Sequence, residues 1–291
     1  MFTRARGGLA ALVLGLGVLS LSACGSDDNS STGTAGSTGA STAAASGTDT
    51  GFQPINDGKL TVGMNLQFKP QMYLDNGEPA GYDVELLKLL APDLGAELNI
   101  QNLDFNGLIP GLQSDKFDMV SVGLSATPER KQVVDFTRGY VPYAQTLGVP
   151  TGEAANVTSA DDLNQSGTTI TALQGSTAEQ LAKKQFPDAK VSAFPDQNAA
   201  FLEVATGRAD AVVVEDYLLA QFDKSNPGQL EQADIPEPLD VQYGSWAVPK
   251  GNEAFVEYLD GWLCEKQTDG TLAKTYEQVF GVDKMPPMPA C

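Results

Sequence analysis

Apolar residues recur along this chain with two different periods, and the alternation between them begins at residue 59. KLTVGMNL (59–66) reads as a buried strand, and residues 83–90 then put Val84, Leu87 and Leu90 on one side of a helix. AELNIQNL (96–103) and FDMVSVG (117–123) read as two more strands. Strands alternating with helices predict parallel α/β architecture. Pro92 cannot donate a helical hydrogen bond, so the first helix is expected to end or kink there. A second α/β set starts near Val157. TTITALQG (168–175) is a strand, STAEQLAKKQF (176–186) a helix, and AAFLEVATGRAD (199–210) another helix. ADAVVVED (209–216) follows as a strand buried on both faces, with three consecutive valines. The extended segments TLGVP (146–150) and VQYGSWAVP (241–249) join the two sets, which predicts two lobes with two crossovers. Residues 252–280 read as helical, with Tyr258, Leu259, Trp262 and Leu263 on an apolar stripe.

The N-terminal stretch carries neither period. Arg4 and Arg6 precede an apolar run at 9–21 that is too short to span a bilayer as a helix. It ends in Leu21-Ser22-Ala23-Cys24, which looks like a bacterial lipobox: the leader is cleaved before the cysteine and the thiol carries diacylglycerol. An ordinary secretory signal peptide is the alternative. Several acyl chains would anchor the protein durably, where a single chain binds only marginally. Residues 25–51 are almost wholly Ser, Thr, Gly and Ala and read as a flexible tether. The expected organisation is a leader at 1–23, a lipid-anchored linker at 24–56, lobe one at 57–148, lobe two at 149–242, and a return to lobe one at 243–291.

Charge and cysteine content narrow the classes. The formal net charge of −19 argues against nucleic-acid partners. The chain has no histidine, which excludes Ser-His-Asp and Cys-His nucleophile systems and histidine-ligated zinc. No CxxC pair or EF-hand pattern replaces it, so neither a metal nor a cofactor is expected. With Cys24 as the lipid site, Cys264 and Cys291 remain, and a pair in an exported protein suggests a disulfide. Such a bridge would contribute about 3.5 kcal/mol in the chain-entropy model. Two buried free thiols are the alternative.

Three motifs carry candidate chemistry. SVGLSATPER (121–130) places the small residues Gly123 and Ser125 and a fixed guanidinium, Arg130, close together. A bidentate carboxylate receptor needs this combination of a rigid donor fork with free N–H groups and hydroxyls. The same residues also make a plain helix start, with Thr127 as cap and Pro128 at the first helical position. In Leu173-Gln174-Gly175-Ser176-Thr177 a strand ends and a helix opens with a Ser-x-x-Glu capping box, whose N–H groups form an anion site. An ordinary capped helix is the competing reading. Glu215 and Asp216 follow the valine strand at its C-terminal edge, where one could receive a ligand ammonium. Acids there also suit the start of the next helix, and one of the pair is expected to follow each reading. Phe68 and Phe105 can supply apolar walls, although core packing is the usual fate of such residues.

Together these motifs resemble the family 3 extracellular solute-binding proteins of ABC importers for polar amino acids. The matching segments are GYDVELLKLL, LDFNGLIPGLQSDKFDMVSVGLSATPERKQVVDFTRGY, LQGST, GRADAVVVED and QYGSWAVPKGN, before a terminal DGTLAKTYEQVFG. The glutamine-binding and lysine/arginine/ornithine-binding members look most similar. The resemblance implies a two-lobed, periplasmic-binding-protein-like type II fold with two crossover strands. It implies that Arg130, Ser125, Gly123, Ser176 and Thr177 hold the ligand carboxylate, and that Glu215 or Asp216 meets its amino group. Asn65, Phe68, Phe105, Val122 and Leu173 would surround the side chain. Glu215 stands where the family usually has aspartate, and Asn65 aligns with an acidic reader of some relatives. A neutral polar amino acid is therefore the first expectation and a cationic one the second. The implied partners are that ligand and a membrane ABC permease, for a monomer that is extracytoplasmic and lipid-anchored to the cell membrane. Two further readings of the same architecture are an enzyme resembling the cyclohexadienyl dehydratases and a ligand-sensing lipoprotein.

Overall fold

The computed structural model describes residues 50–291. The expected leader, the lipid site at Cys24 and most of the tether lie outside the described residues.

Strand β1 (Lys59–Met64) leads into a small antiparallel sheet of β2 (Gln67–Phe68), β3 (Met72–Asp75) and β4 (Glu78–Ala80). Helix α1 (Tyr82–Asp93), strand β5 (Glu97–Asn102), helix α2 (Phe105–Gln113), strand β6 (Met119–Ser125) and the short helix α3 (Pro128–Lys131) follow. The chain then crosses on the long strand β7 (Val134–Pro150). Beyond it come β8 (Thr169–Leu173), α4 (Thr177–Gln185), β9 (Lys190–Phe194), α5 (Gln197–Ala205), β10 (Ala211–Glu215), α6 (Asp216–Ser225) and β11 (Leu230–Gln232). It returns on β12 (Asp240–Pro249) to α7 (Glu253–Thr268) and α8 (Thr271–Phe280).

The main sheet has the order β5-β1-β6-β12-β7-β10-β8-β9, with β11 beside β7. Its outer strands are parallel at both ends, β5, β1 and β6 at one and β10, β8 and β9 at the other. Between them β12 and β7 run antiparallel to their neighbours. The sheet is thus mixed rather than wholly parallel. The chain leaves one half on β7 and returns on β12, so two adjacent crossovers must point in opposite directions. This is the two-lobed type II arrangement.

The crossing comes earlier than the expected segment at 146–150. Gln145 pairs with Asp240 of β12 and with Glu215 of β10, so both halves meet at this residue. Burial follows the strand period: Val212 and Val214 join the larger apolar core, while Val213 faces a second one with Leu147, Ile170 and Phe186.

The structure adds detail to three local expectations. Helix α1 runs through Pro92 to Asp93, because the proline falls in the last turn. There Leu94 N–H still reaches the Leu90 carbonyl at 3.1 Å and Ala96 N–H closes on Ala91 at 2.9 Å. The C-terminal helical stretch is two helices, broken at Gly270, whose φ of 84° is left-handed. The linker expected to reach residue 56 already meets the fold at Phe52, whose ring lies 5.2 Å from Phe255, and at Ile55, whose N–H donates to Asp118 Oδ1 at 2.7 Å. An aromatic ring and a buried carboxylate hold this end against the core. Cys264 of α7 and Cys291 are joined in a disulfide.

Candidate functional site

A cavity of about 30 Å³ opens where the C-terminal ends of β6, β8 and β10 converge. Each wall has a local cause. After β6 the chain turns sharply, and Thr127 caps the short α3 by accepting from Arg130 N–H at 3.3 Å, with Pro128 at the first helical position. This turn directs the Arg130 guanidinium back over the strand end. After β8, Ser176 caps α4 by accepting from Glu179 N–H at 3.2 Å. After β10, α6 begins at once, and Glu215 stays at the cavity wall.

Arg130 is buried. Its Nη1 donates to the Ser125 carbonyl and its Nη2 to the Gly175 carbonyl, both at 3.0 Å, so the side chain bridges the β6 end and the LQGST loop. Its guanidinium carbon also lies 5.8 Å from the centre of the Phe105 ring. The loop approaches so closely that Gly175 has no room for a side chain. It has φ +75°, and an added Cβ would meet Asn106 Oδ1 at 2.1 Å.

Hydroxyls and amides tie the cavity walls together. Gln242 Oε1 accepts from Ser125 Oγ and, at 3.0 Å, from Thr177 Oγ1, joining the β6 and α4 walls through β12. Gln145 Nε2 reaches Thr177 Oγ1 at 3.2 Å and Glu215 Oε1 at 3.4 Å. Burial and the neighbouring Asp216 push the Glu215 carboxyl from 4.5 up to about 7, against the pull of its own backbone N–H and Arg130. Burial and the nearby Glu215 carboxyl hold the Tyr143 hydroxyl well above the ordinary tyrosine value, so it stays protonated. Phe68 and Phe105 meet edge to face with centres 6.3 Å apart.

The sequence-predicted residues divide clearly. Gly123, Ser125, Arg130, Ser176, Thr177, Glu215, Phe68, Phe105, Val122 and Leu173 all line the cavity. Asn65 does not: its Nδ2 donates to the Leu103 carbonyl at 2.6 Å, fastening the loop after β1. Asp216 does not either; it is exposed, and its Oδ1 accepts from Tyr217 N–H at 2.8 Å at the start of α6. The adjacent acids thus split, one to the cavity and one to the helix start.

The expected free N–H groups are also fewer. Gly123 N–H donates to Tyr140 Oη at 3.0 Å, and in the LQGST loop Gly175 N–H goes to Glu179 Oε2 at 2.7 Å. Glycine at 123 serves close approach, since its φ is +62° and a Cβ would lie 2.6 Å from Gln71 Nε2.

Gln71, Tyr143 and Tyr217 line the cavity although the motifs do not mark them. The available signals were weak: a polar residue between Pro70 and Met72, a tyrosine beside a crossover, and a tyrosine directly after the paired acids.

Comparison with known proteins matches residues 60–282 to a family described as bacterial extracellular solute-binding proteins, family 3. The arginine-binding extracellular protein ArtP of Bacillus subtilis is 30% identical over 228 residues, covering 78% of this chain and 88% of that protein. An ancestral arginine-binding protein solved with glutamine bound is 36% identical, with a TM-score of 0.70 over 77% of this chain and 98% of that one. The ancestral amino acid-binding protein AncCDT-1, a precursor of cyclohexadienyl dehydratase, is 35% identical, with a TM-score of 0.71 over 77% of this chain and 96% of that one.

Proposed function

We propose that this chain, which belongs to the bacterial extracellular solute-binding proteins of family 3, captures a polar amino acid or similar small zwitterion between its lobes and delivers it to a membrane ABC permease. The observation that carries this reading is the buried Arg130 reaching from the β6 end to Gly175 across the cavity, with Glu215 on the same wall set. In this reading the ligand carboxylate replaces the Ser125 and Gly175 carbonyls as the partner of the guanidinium. A charge-assisted, bidentate pair is stronger than two bonds to neutral carbonyls. Ser125, Ser176 and Thr177 supply hydroxyls, and Gly123 keeps the backbone close. Ionised Glu215 takes the ammonium, while Phe68, Phe105, Val122 and Leu173 exclude water from the rest.

The cavity volume of about 30 Å³ is room for about two waters. An amino acid therefore enters only when the walls part. We assign the motion to a hinge in β7 and β12, between lobe one at 57–148 and 243–291 and lobe two at 149–242. Contacts that each lobe makes only with the ligand bridging them shift the population toward closure. The protein is extracytoplasmic. Our reading adds a lipid anchor at Cys24, a flexible tether and a monomeric carrier.

A thermal-shift screen across the amino acids tests the function. At least one should raise the melting temperature, and Arg130→Ala should abolish that response. Unchanged stabilisation of Arg130→Ala by the same ligand rules out the carboxylate assignment. Incubation with prephenate or arogenate should give no aromatic product.

A further inference from the structure

Behind the cavity wall lies a buried carboxylate that the ligand reading leaves without a task. Asp83 is fully buried and does not itself line the cavity. Its surroundings have a fixed donor sense. Trp246 Nε1 donates to Ser121 Oγ at 2.9 Å, so the Ser121 hydroxyl proton goes to Asp83 Oδ2, 2.7 Å away. Gly123 N–H donates to Tyr140 Oη, leaving the Tyr140 proton for the same carboxylate oxygen.

The other oxygen, Oδ1, accepts from Gln71 Nε2 at 3.1 Å. An acceptor on that side fixes the amide, so Gln71 Oε1 points the other way, where Tyr217 Oη donates to it at 2.7 Å. Gln71 and Tyr217 both line the cavity, and the only formally charged side chains among the lining residues are Arg130 and Glu215. Once these two hold the ligand's carboxylate and amine, every remaining polar group is neutral. A cationic ligand side chain would find no counter-charge there, although one sits a single side chain away.

Resting on the amino-acid reading above, we propose that Gln71 determines specificity. Its carboxamide covers the Asp83 carboxylate and, with the Tyr217 hydroxyl, offers neutral hydrogen-bonding groups that select an uncharged polar side chain over a cationic one. A site built to hydrogen-bond one side chain discriminates strongly against ligands that leave its groups unpaired.

Isothermal titration with L-glutamine, L-asparagine, L-serine, L-threonine, L-lysine and L-arginine tests this. The wild-type protein should bind one of the four neutral ligands at least about tenfold more tightly than either cationic one. Gln71→Ala opens a path to Asp83 and should narrow or reverse that ratio by strengthening lysine and arginine. Tyr217→Phe, which keeps the ring, should weaken the neutral ligand about five- to tenfold and leave lysine unchanged. A wild-type preference for lysine or arginine overturns the proposal, as does a Gln71→Ala protein that weakens neutral and cationic ligands equally. If Gln71→Ala lacks a cooperative melt, Tyr217→Phe decides alone, and an unchanged ratio overturns the proposal. Binding with the wrong selectivity leaves the amino-acid reading standing. Binding of no amino acid at all overturns both.

Discussion

Around Arg130, one short piece of chain supplies the Ser125 carbonyl, the Thr127 cap and the guanidinium itself. Gln71 pairs with Asp83 of α1 and Tyr217 of α6, and Asp83 in turn accepts from Ser121 of β6 and Tyr140 of β7, all gathered from distant parts of the sequence. The first wall is set by a helix start, so its geometry survives wherever that start survives. The second exists only when the core is assembled, because each of its hydrogen bonds depends on the direction of the next. Perturbing the first should be felt chiefly by the ligand, whereas removing the buried carboxylate behind the second should be felt chiefly by the fold.

The largest effect should come from the Arg130 wall. Arg130→Ala is expected to weaken ligand binding on the order of a thousandfold, about 4 kcal/mol, since the carboxylate is left without its charged partner. Calorimetric titration measures this, and the unliganded stability should change less. An equal loss in both would erase the contrast between the two walls.

Asp83→Ala should reverse the pattern. It takes from Gln71 Nε2, Ser121 Oγ and Tyr140 Oη the carboxylate that all three donate to, costing about 3 kcal/mol in urea unfolding. A change under about 1 kcal/mol would mean the network is not cooperative.

Glu215 sharpens the comparison through pH. Its folded value of about 7 lies above its ordinary 4.5, so the folded, unliganded protein favours the protonated form. The associated stability is fully present below pH 4.5 and is lost as pH rises through about 7, on the order of 3 kcal/mol. The ligand ammonium needs the ionised form, so affinity should rise over the same interval. Glu215→Gln should flatten both profiles, read by thermal melts and titrations between pH 5 and about 8. A wild-type affinity that does not respond to pH would remove Glu215 from the ammonium.

The smallest effect belongs to the cap of α4. Ser176→Ala should cost about 1 kcal/mol by leaving Glu179 N–H without its acceptor. Its effect on ligand affinity should be weaker than that of Arg130→Ala by at least tenfold, consistent with a hydroxyl that assists rather than clamps.

Sequence by itself determined what depends on a few neighbouring residues. The Thr127–Pro128 start, the Ser176 cap, the two-sided valine strand β10 and the guanidinium at 130 follow from capping chemistry, fixed φ and side-chain period, which act over one turn or one strand. Tertiary structure decided what depends on crossing partners. It turned a parallel expectation into a mixed sheet, because β7 and β12 cross in opposite senses. It drew Asn65 away to the Leu103 carbonyl and gave Asp216 to the start of α6. It also set Gln71 between Asp83 and Tyr217, an arrangement no local pattern encodes, since an amide takes its orientation from the donors and acceptors around it.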